Sequence, residues 1–125
     1  MDEDKLNRLP PDVKKQFVKL AEKLSEKKQK TKVHDDFLTF VKHVWPEFIE
    51  GAHHKKIAEK FNDIANKKIK RLIINMPPRH TKSEFASFLL PAWMVGRRPN
   101  LKIIQSTHTT ELAIRFGRKA KTLMD

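Results

Sequence analysis

The residues best suited to chemistry lie in one short stretch, 76–83, with the sequence MPPRHTKS. Its end fits the pattern G-x-x-x-x-G-K-[ST], in which a loop binds phosphates, a lysine reaches them and a hydroxyl holds Mg²⁺. Lys82 and Ser83 match the pattern, whereas Met76 and Thr81 stand at its two glycine positions. The spacing therefore predicts a phosphate site, and the alternative is an ordinary turn before a basic helix start.

The chemistry of this stretch favours the phosphate interpretation. A loop before a helix turns its backbone N–H groups toward a ligand, and the helix dipole adds about half a positive charge there. We predict that Lys82 reaches the β- and γ-phosphates, Ser83 binds Mg²⁺ and Arg79 neutralises charge on the transferred phosphoryl group. Cations at this helix end are unfavourable unless an anion offsets them. A positive φ at Thr81 would strain its branched side chain and weaken nucleotide affinity.

Apolar residues at helical spacing predict five helices around this stretch. The first runs from about Asp12 with Val13, Phe17, Leu20 and Leu24 on one face; the second, capped by Asp35 or Asp36, carries Phe37, Phe40, Val41 and Val44. The third spans about 52–66 with Ile57, Phe61 and Ile64 inside; the fourth carries Phe85, Phe88, Leu89, Ala92 and Trp93, with Pro91 inside the pattern. The fifth, capped by Thr109 or Thr110, carries Leu112, Ala113, Phe116 and Leu123.

Two aliphatic runs, 71–75 and 101–106, flank the fourth helix. Such runs are typical of strands buried on both faces of a parallel sheet. The order strand–helix–strand–helix predicts an α/β fold for the compact part, 33–125. Residues 1–32 are predicted to form a basic helical tail that frays over its first ten residues and ends in the lysine-rich linker 27–32.

Composition narrows the class of protein. The chain has 125 residues, with 27 Lys and Arg against 15 Asp and Glu and a formal net charge of +12. The absence of cysteine excludes disulfides, thiol catalysis and cysteine-ligated zinc. The charged first residues, and the lack of any apolar run near the roughly 18 residues of a membrane span, predict neither secretion nor membrane insertion.

The excess of positive charge is greatest in residues 97–125, which hold seven Lys or Arg and two Asp or Glu. A basic face gains affinity for a phosphate backbone by releasing counterions. The candidate DNA-binding residues are Arg97, Arg98, Arg115, Arg118 and Lys119. The alternative is a solvated surface that keeps the protein soluble.

The stretch and its flanks also resemble a known family. Segment 72–84, LIINMPPRHTKSE, resembles the Walker A region of the large terminase subunit of tailed bacteriophages, the ATPase that drives DNA into the procapsid. Supporting blocks are FVKHVWP at 40–46, PAW at 91–93 and ELAIRFGRK at 111–119, and the resemblance covers about residues 35–123.

The resemblance implies an ATPase domain with the P-loop NTPase fold of the additional-strand class, which couples ATP and Mg²⁺ to DNA translocation. It makes Lys82 and Arg79 catalytic and places Ser83 on Mg²⁺. The ATP-binding residues that it implies are Pro78, Arg79, His80, Thr81, Lys82, Ser83, Glu84 and one of His53 and His54, with His54 preferred.

The same resemblance implies double-stranded DNA, the portal protein, the small terminase subunit and the remaining part of the large subunit as partners. The assembly would be a homo-oligomeric ring in the host cytoplasm, transiently on the procapsid portal and away from membranes. No aliphatic strand ending in Asp-Glu, the family's Walker B motif, is found in the sequence, so the chain resembles the N-terminal portion of a large subunit.

Hydrolysis needs a held metal and a positioned water as well as a phosphate cradle, so negligible turnover is expected from this chain alone. Two other functions stay open. One is a basic nucleic-acid-binding module whose loop does not hydrolyse ATP, and the other is an assembly adaptor that docks through residues 12–30.

Overall fold

The computed structural model describes residues 10–125, which form helices joined by irregular segments. The helices are α1 (Pro11–Asp35), α2 (Phe37–Val44), α3 (Ala52–Ala65), α4 (Lys82–Glu84), α5 (Leu90–Arg97) and α6 (Thr110–Met124), with a π-helical segment, π1 (Phe85–Leu89), between α4 and α5. The chain divides into two compact units, 1–32 and 33–125. The predicted frayed tail lies outside the described residues, apart from residue 10. A bilayer-crossing helix, which needs both length and apolarity, is not found among residues 10–125.

The predicted α/β fold of the P-loop NTPase type is wrong, because residues 10–125 contain no strand. The two runs predicted to be strands, 71–75 and 101–106, belong to no ladder. Ile73 is 87% exposed and Ile104 is 99% exposed. A parallel strand needs a hydrogen-bonded neighbour and a layer over each face, and these two short segments supply neither for one another.

Segment 71–77 is instead packed along helices. Leu72, Ile74 and Met76 contact the hydrophobic core, while Ile73 between them faces outward. This alternation is the period-2 pattern of an extended chain with one covered face. The aliphatic run therefore buries alternate side chains without forming a sheet.

The core of the 33–125 unit is centred on Phe37, which is fully buried. Its ring centroid lies 5.1 Å from Phe61, 5.5 Å from Phe85 and 5.4 Å from Trp93, each in an edge-to-face arrangement. Such pairs contribute about 0.5–1.5 kcal/mol beyond the burial of their area. The predicted inner faces of α2, of α3 and of the helical stretch from Phe85 to Trp93 thus meet at one ring.

Asp36 is the predicted cap that the structure uses for α2. Its carboxylate accepts hydrogen bonds from the Thr39 backbone N–H (2.8 Å), the Thr39 hydroxyl (2.7 Å) and the Asn62 amide (2.8 Å). Asn62 also accepts from the Phe37 N–H at 2.9 Å, which ties α3 to the start of α2. Burial raises the pKa of Asp36, but the hydrogen bonds from Thr39 and Asn62 together hold the pKa below its usual 3.8.

Pro91 coincides with the change from π-helix to α-helix. Proline has no N–H, so Pro91 cannot bond the carbonyl of Ser87 four residues earlier. The side-chain amide of Gln105 donates to that carbonyl at 2.9 Å. Gln105 therefore supplies a side-chain donor to this carbonyl and attaches segment 101–107 to the helical stretch.

One helix boundary and one inward-facing residue differ from expectation, whereas the cap of α6 is one of the two predicted. The predicted linker 27–32 is helical, because lysine and glutamine are good helix formers and the Thr31 hydroxyl bonds the Lys27 carbonyl at 2.9 Å. In α6 the cap is Thr109, whose hydroxyl accepts from the Leu112 N–H at 3.3 Å. Leu112 itself is exposed, contrary to the prediction that it lies inside.

We expect Asp36→Ala to lower the free energy of unfolding by about 1–2 kcal/mol, because it removes a helix cap and leaves Asn62 without its acceptor. The measurement is urea unfolding followed by circular dichroism. Asp35→Ala is the matched control, since Asp35 is exposed and bonds His34; we expect it to change stability by less than about 0.5 kcal/mol. Equal losses in the two variants would contradict the role of Asp36.

Candidate phosphate-binding site

The loop before α4 has a backbone shape suited to an anion. Arg79 and Thr81 both have left-handed conformations, with φ of 64° and 57°. They alternate with His80 and with Lys82, the first residue of α4. Alternation between right- and left-handed residues turns successive N–H groups toward one point, which makes an anion-binding concavity. The positive φ considered for Thr81 from the sequence is present.

The backbone donors of this loop are available. From Arg79 to Glu84, none of the N–H groups donates a hydrogen bond to an acceptor within residues 10–125. The first bonded N–H is that of Phe85, which donates to the Thr81 carbonyl at 2.9 Å. Pro78, Arg79, His80 and Ser83 are exposed, and Thr81 and Lys82 are half-buried. The stretch that carries these N–H groups is therefore open to solvent on at least one side.

The Lys82 ammonium lies beside the start of the loop. Its Nζ donates to the Met76 carbonyl at 3.4 Å, a long bond that a phosphate oxygen could replace. The Arg79 guanidinium is exposed and makes no hydrogen bond or ion pair within the described part of the chain. The His80 ring donates from Nδ1 to the Pro78 carbonyl at 2.9 Å and tightens the turn between them.

A chain of three hydrogen bonds ties the loop to α3 through His54. The Gly51 N–H donates to His54 Nδ1 at 2.9 Å, so the neutral ring carries its proton on Nε2. Nε2 then donates to the Thr81 hydroxyl at 2.6 Å, and that hydroxyl donates to the His80 carbonyl at 2.7 Å. Every donor and acceptor along this chain is matched.

This series of hydrogen bonds explains how threonine is tolerated at residue 81, where the phosphate-loop pattern has glycine. A left-handed conformation costs a branched residue about 1–3 kcal/mol. Thr81 gains a donor from His54 and an acceptor in the His80 carbonyl, which glycine would lack. The hydroxyl thus offsets the strain of its own backbone.

The environment of His54 favours its neutral form. Burial lowers the pKa of His54, the neighbouring His53 and His80 lower it further, and Glu50 opposes the shift. The His54 ring is enclosed by aromatic rings, with centroids 4.8 Å from Phe48 and 5.1 Å from Phe85. The neutral ring is the form that can accept from Gly51.

A groove of about 280 Å³ adjoins the loop at Met76. Its apolar wall comes from segment 72–76 and Ile57, and its basic rim from His53, Lys56 and Lys60. His53 is exposed, whereas His54 is buried and bonds the loop from inside. Of the two histidines considered for ligand contact, His53 is therefore the one that faces the groove.

Glu84 is engaged away from the loop. Its carboxylate accepts from Lys119 Nζ at 3.2 and 3.3 Å, and the same ammonium lies 5.4 Å from the centre of the Phe88 ring. The pair joins α4 to α6. Two of the predicted binding residues, one for ATP and one for DNA, thus bind each other.

Arg97 and Arg98 also serve the fold. The Arg97 guanidinium lies 4.8 Å from the centre of the Trp93 ring and donates to the Asn66 side-chain oxygen at 3.1 Å. Arg98 donates to the Ala65 carbonyl at 3.1 Å. Both cations lie at the C-terminal end of α3, where a helix dipole favours positive charge. Arg115 and Arg118 are exposed on α6 and share a face at a spacing of three residues.

Comparison of the chain with protein-family models, with curated proteins and with solved structures yields no match. Among residues 10–125, no group of three or more His, Cys, Asp or Glu side chains is arranged to hold a metal ion.

The burial of His54 predicts a pH-dependent stability. Because the folded pKa of His54 lies below the usual 6.5, unfolded chains take up a proton first as the pH falls. We therefore expect the His54 contribution to be complete above about pH 6.5 and to decrease as the pH falls toward the folded value. The measurement is urea unfolding between about pH 8 and pH 5, with the His54 ring followed by NMR.

Two variants separate His54 from the other histidines. In His54→Asn the part of the pH dependence due to this ring should disappear, because asparagine does not titrate. His108→Asn, which changes an exposed histidine outside the loop, is the matched control. A folded His54 pKa at or above 6.5 would contradict the assignment.

Proposed function

We propose that the loop Pro78–Ser83 binds the phosphates of ATP, and that the chain is the ATP-binding part of a large terminase subunit. The observation behind the first half is the stretch from Arg79 to Glu84, whose residues are exposed or half-buried, whose N–H groups make no close hydrogen bond within residues 10–125, and which contains two left-handed residues. Charge-assisted hydrogen bonds from such groups to an anion are roughly twice as strong as neutral ones.

The side chains around the loop suit a triphosphate. Lys82 would exchange its long bond to the Met76 carbonyl for a phosphate oxygen, and Arg79 is free to close over the outer phosphate. Ser83 is exposed, and under this proposal its hydroxyl would bind Mg²⁺ together with phosphate oxygens and water. Bound ATP supplies the phosphoanhydride bond, whose cleavage is the energy source of such motors.

Under this proposal the groove at Met76 would hold the nucleoside beside the phosphates. Its apolar wall suits the face of a base, and the exposed His53 ring at its edge can stack on that base. Lys56 and Lys60 at the rim add positive charge. The loop and the groove together match the two ends of a nucleotide.

The resemblance of segment 72–84 to large terminases is our reason for proposing ATP as the nucleotide and DNA packaging as the process. Under this proposal double-stranded DNA, the portal protein and the small terminase subunit are partners of the assembled motor. Hydrolysis also needs a group that orients water. Glu84, the carboxylate next to Ser83 in the sequence, is paired with Lys119, so we expect ATP binding without measurable turnover by this chain.

We expect Lys82→Ala to raise the Kd for ATP and Mg²⁺ by about tenfold to a hundredfold, because a hydrogen bond to a charged group is worth about 1.5–3 kcal/mol. The measurement is titration calorimetry on the full chain, with inorganic triphosphate as a second ligand. Lys102→Ala is the matched control, since Lys102 is exposed and carries the same charge outside the loop.

The control variant should bind ATP as the parent chain does. Equal weakening in both variants would show that net charge, and not the loop, attracts the nucleotide. Failure of the parent chain to bind either ATP or triphosphate would contradict the proposed site.

Exposed Arg115 and Arg118 on one face of α6 favour a second candidate function, binding of nucleic acid without nucleotide. Under this alternative, replacing both arginines by alanine should reduce the slope of log K against log salt by about 2 on double-stranded DNA. Lys82→Ala and added ATP should leave the slope unchanged. A DNA affinity that depends on ATP and on Lys82 would instead favour the motor.

A further inference from the structure

Helix α1 presents a line of apolar side chains that nothing in the helix covers. Val13, Phe17, Leu20 and Leu24 are between 37% and 55% exposed, and α1 has no buried residue. Their spacings of four, three and four residues are those of alternating d and a positions in a heptad repeat. We call these four residues the seam.

The width of the seam indicates what kind of surface would cover it. A helix that lies in a membrane interface or on a globular core has a broad apolar face, whereas an apolar stripe confined to a and d is typical of helix–helix packing. Beside the seam, the apolar residues of α1 before Thr31 are Val18, at position b, and the small Ala21. The seam therefore suits one partner helix better than a bilayer or a flat surface.

The charges beside the seam select the partner. With Phe17 at position a, the e and g positions from 14 to 30 include Lys23, Lys28 and Lys30 and contain no acidic residue; the e position at the end of α1 is Asp35. The acidic residues of α1 before His34 stand at positions c and f, away from the seam; they are Asp12, Glu22 and Glu26. Residues at e and g lie across the interface from those of the partner helix and determine which helices pair.

A second copy of α1 is a poor partner for this reason. In a parallel pair, Lys23 at g would face Lys28 at e of the other copy, and an antiparallel pair would also bring lysines together. Lys27, at the next d position, would lie against its own counterpart in a parallel pair. Like charges at such positions disfavour pairing.

We infer that α1 docks an amphipathic helix of a different protein, one with apolar residues at a and d and Asp or Glu at e and g. A shallow hollow of about 410 Å³, lined by Leu24, Lys27, Lys28, Thr31 and Lys32, continues the seam by about one helical turn. Its lysines can pair with carboxylates of the partner while Leu24 receives an apolar side chain. This inference is independent of the loop before α4.

The test uses the full chain and two synthetic helices of about three heptads with leucine at a and d. One carries glutamate at every e and g position and the other carries lysine there. We expect the glutamate peptide to bind, with an affinity that falls as salt rises, and the lysine peptide not to bind. Fluorescence anisotropy of labelled peptide gives the affinities, and circular dichroism reports whether each variant keeps its helix.

Two variants of the chain locate the contact. Leu20→Ser should weaken binding of the glutamate peptide by about tenfold or more, because Leu20 is a seam residue. Val18→Ser is the matched control, since Val18 is exposed to a similar degree, 50% against 55%, but lies outside the seam. The double variant Lys23→Glu with Lys28→Glu should shift the preference toward the lysine peptide.

Other results would overturn the inference. Equal binding of the two peptides, or no binding of the glutamate peptide, would contradict the acidic partner. Equal effects of the Val18 and Leu20 variants would contradict the seam as the contact. Self-association of the chain that Leu20→Ser abolishes, or binding to anionic lipid vesicles with the same dependence on Leu20, would show a different occupant.

Discussion

The burial of the Phe37 ring is the interaction on which the 33–125 unit depends. Short helices that share no sheet need a common contact, and Phe37 brings α2, α3 and the stretch from π1 to α5 to one point. Asp36 and Asn62 fix the backbone on either side of that ring, so the capping bonds and the aromatic contacts stabilise the same junction. Loss of the ring would remove packing from three elements at once.

The conformation of the loop Pro78–Ser83 depends on contacts with this core. Phe85 contacts Phe37 on one side and lies 5.1 Å from the His54 ring on the other, and His54 in turn bonds Thr81. The conformation of an exposed loop is thus fixed by a buried histidine on a neighbouring helix. Preorganised donors lose little entropy when an anion arrives, which is the advantage of holding them in place beforehand.

The helices were predictable because their signals are local: apolar spacing, capping residues and Pro46 after α2 all lie within a few positions. The strands were not, because an aliphatic run such as 71–75 looks the same whether it pairs in a sheet or packs alternate residues on helices. The His54–Thr81 bond joins residues 27 positions apart, which no local pattern reveals. A signal for burial of His54 did exist, since it shares helical spacing with Ala58 and Phe61 on the inner face of α3.

The bond between Gln105 and the Ser87 carbonyl makes two distant positions interdependent. Proline at residue 91 has no N–H to donate within this stretch, so losing the glutamine amide removes a donor that residue 91 does not replace. Related chains that keep this arrangement should therefore inherit the proline and the glutamine together. A substitution at residue 105 would be tolerated once residue 91 is no longer proline, and the converse order would be less favourable.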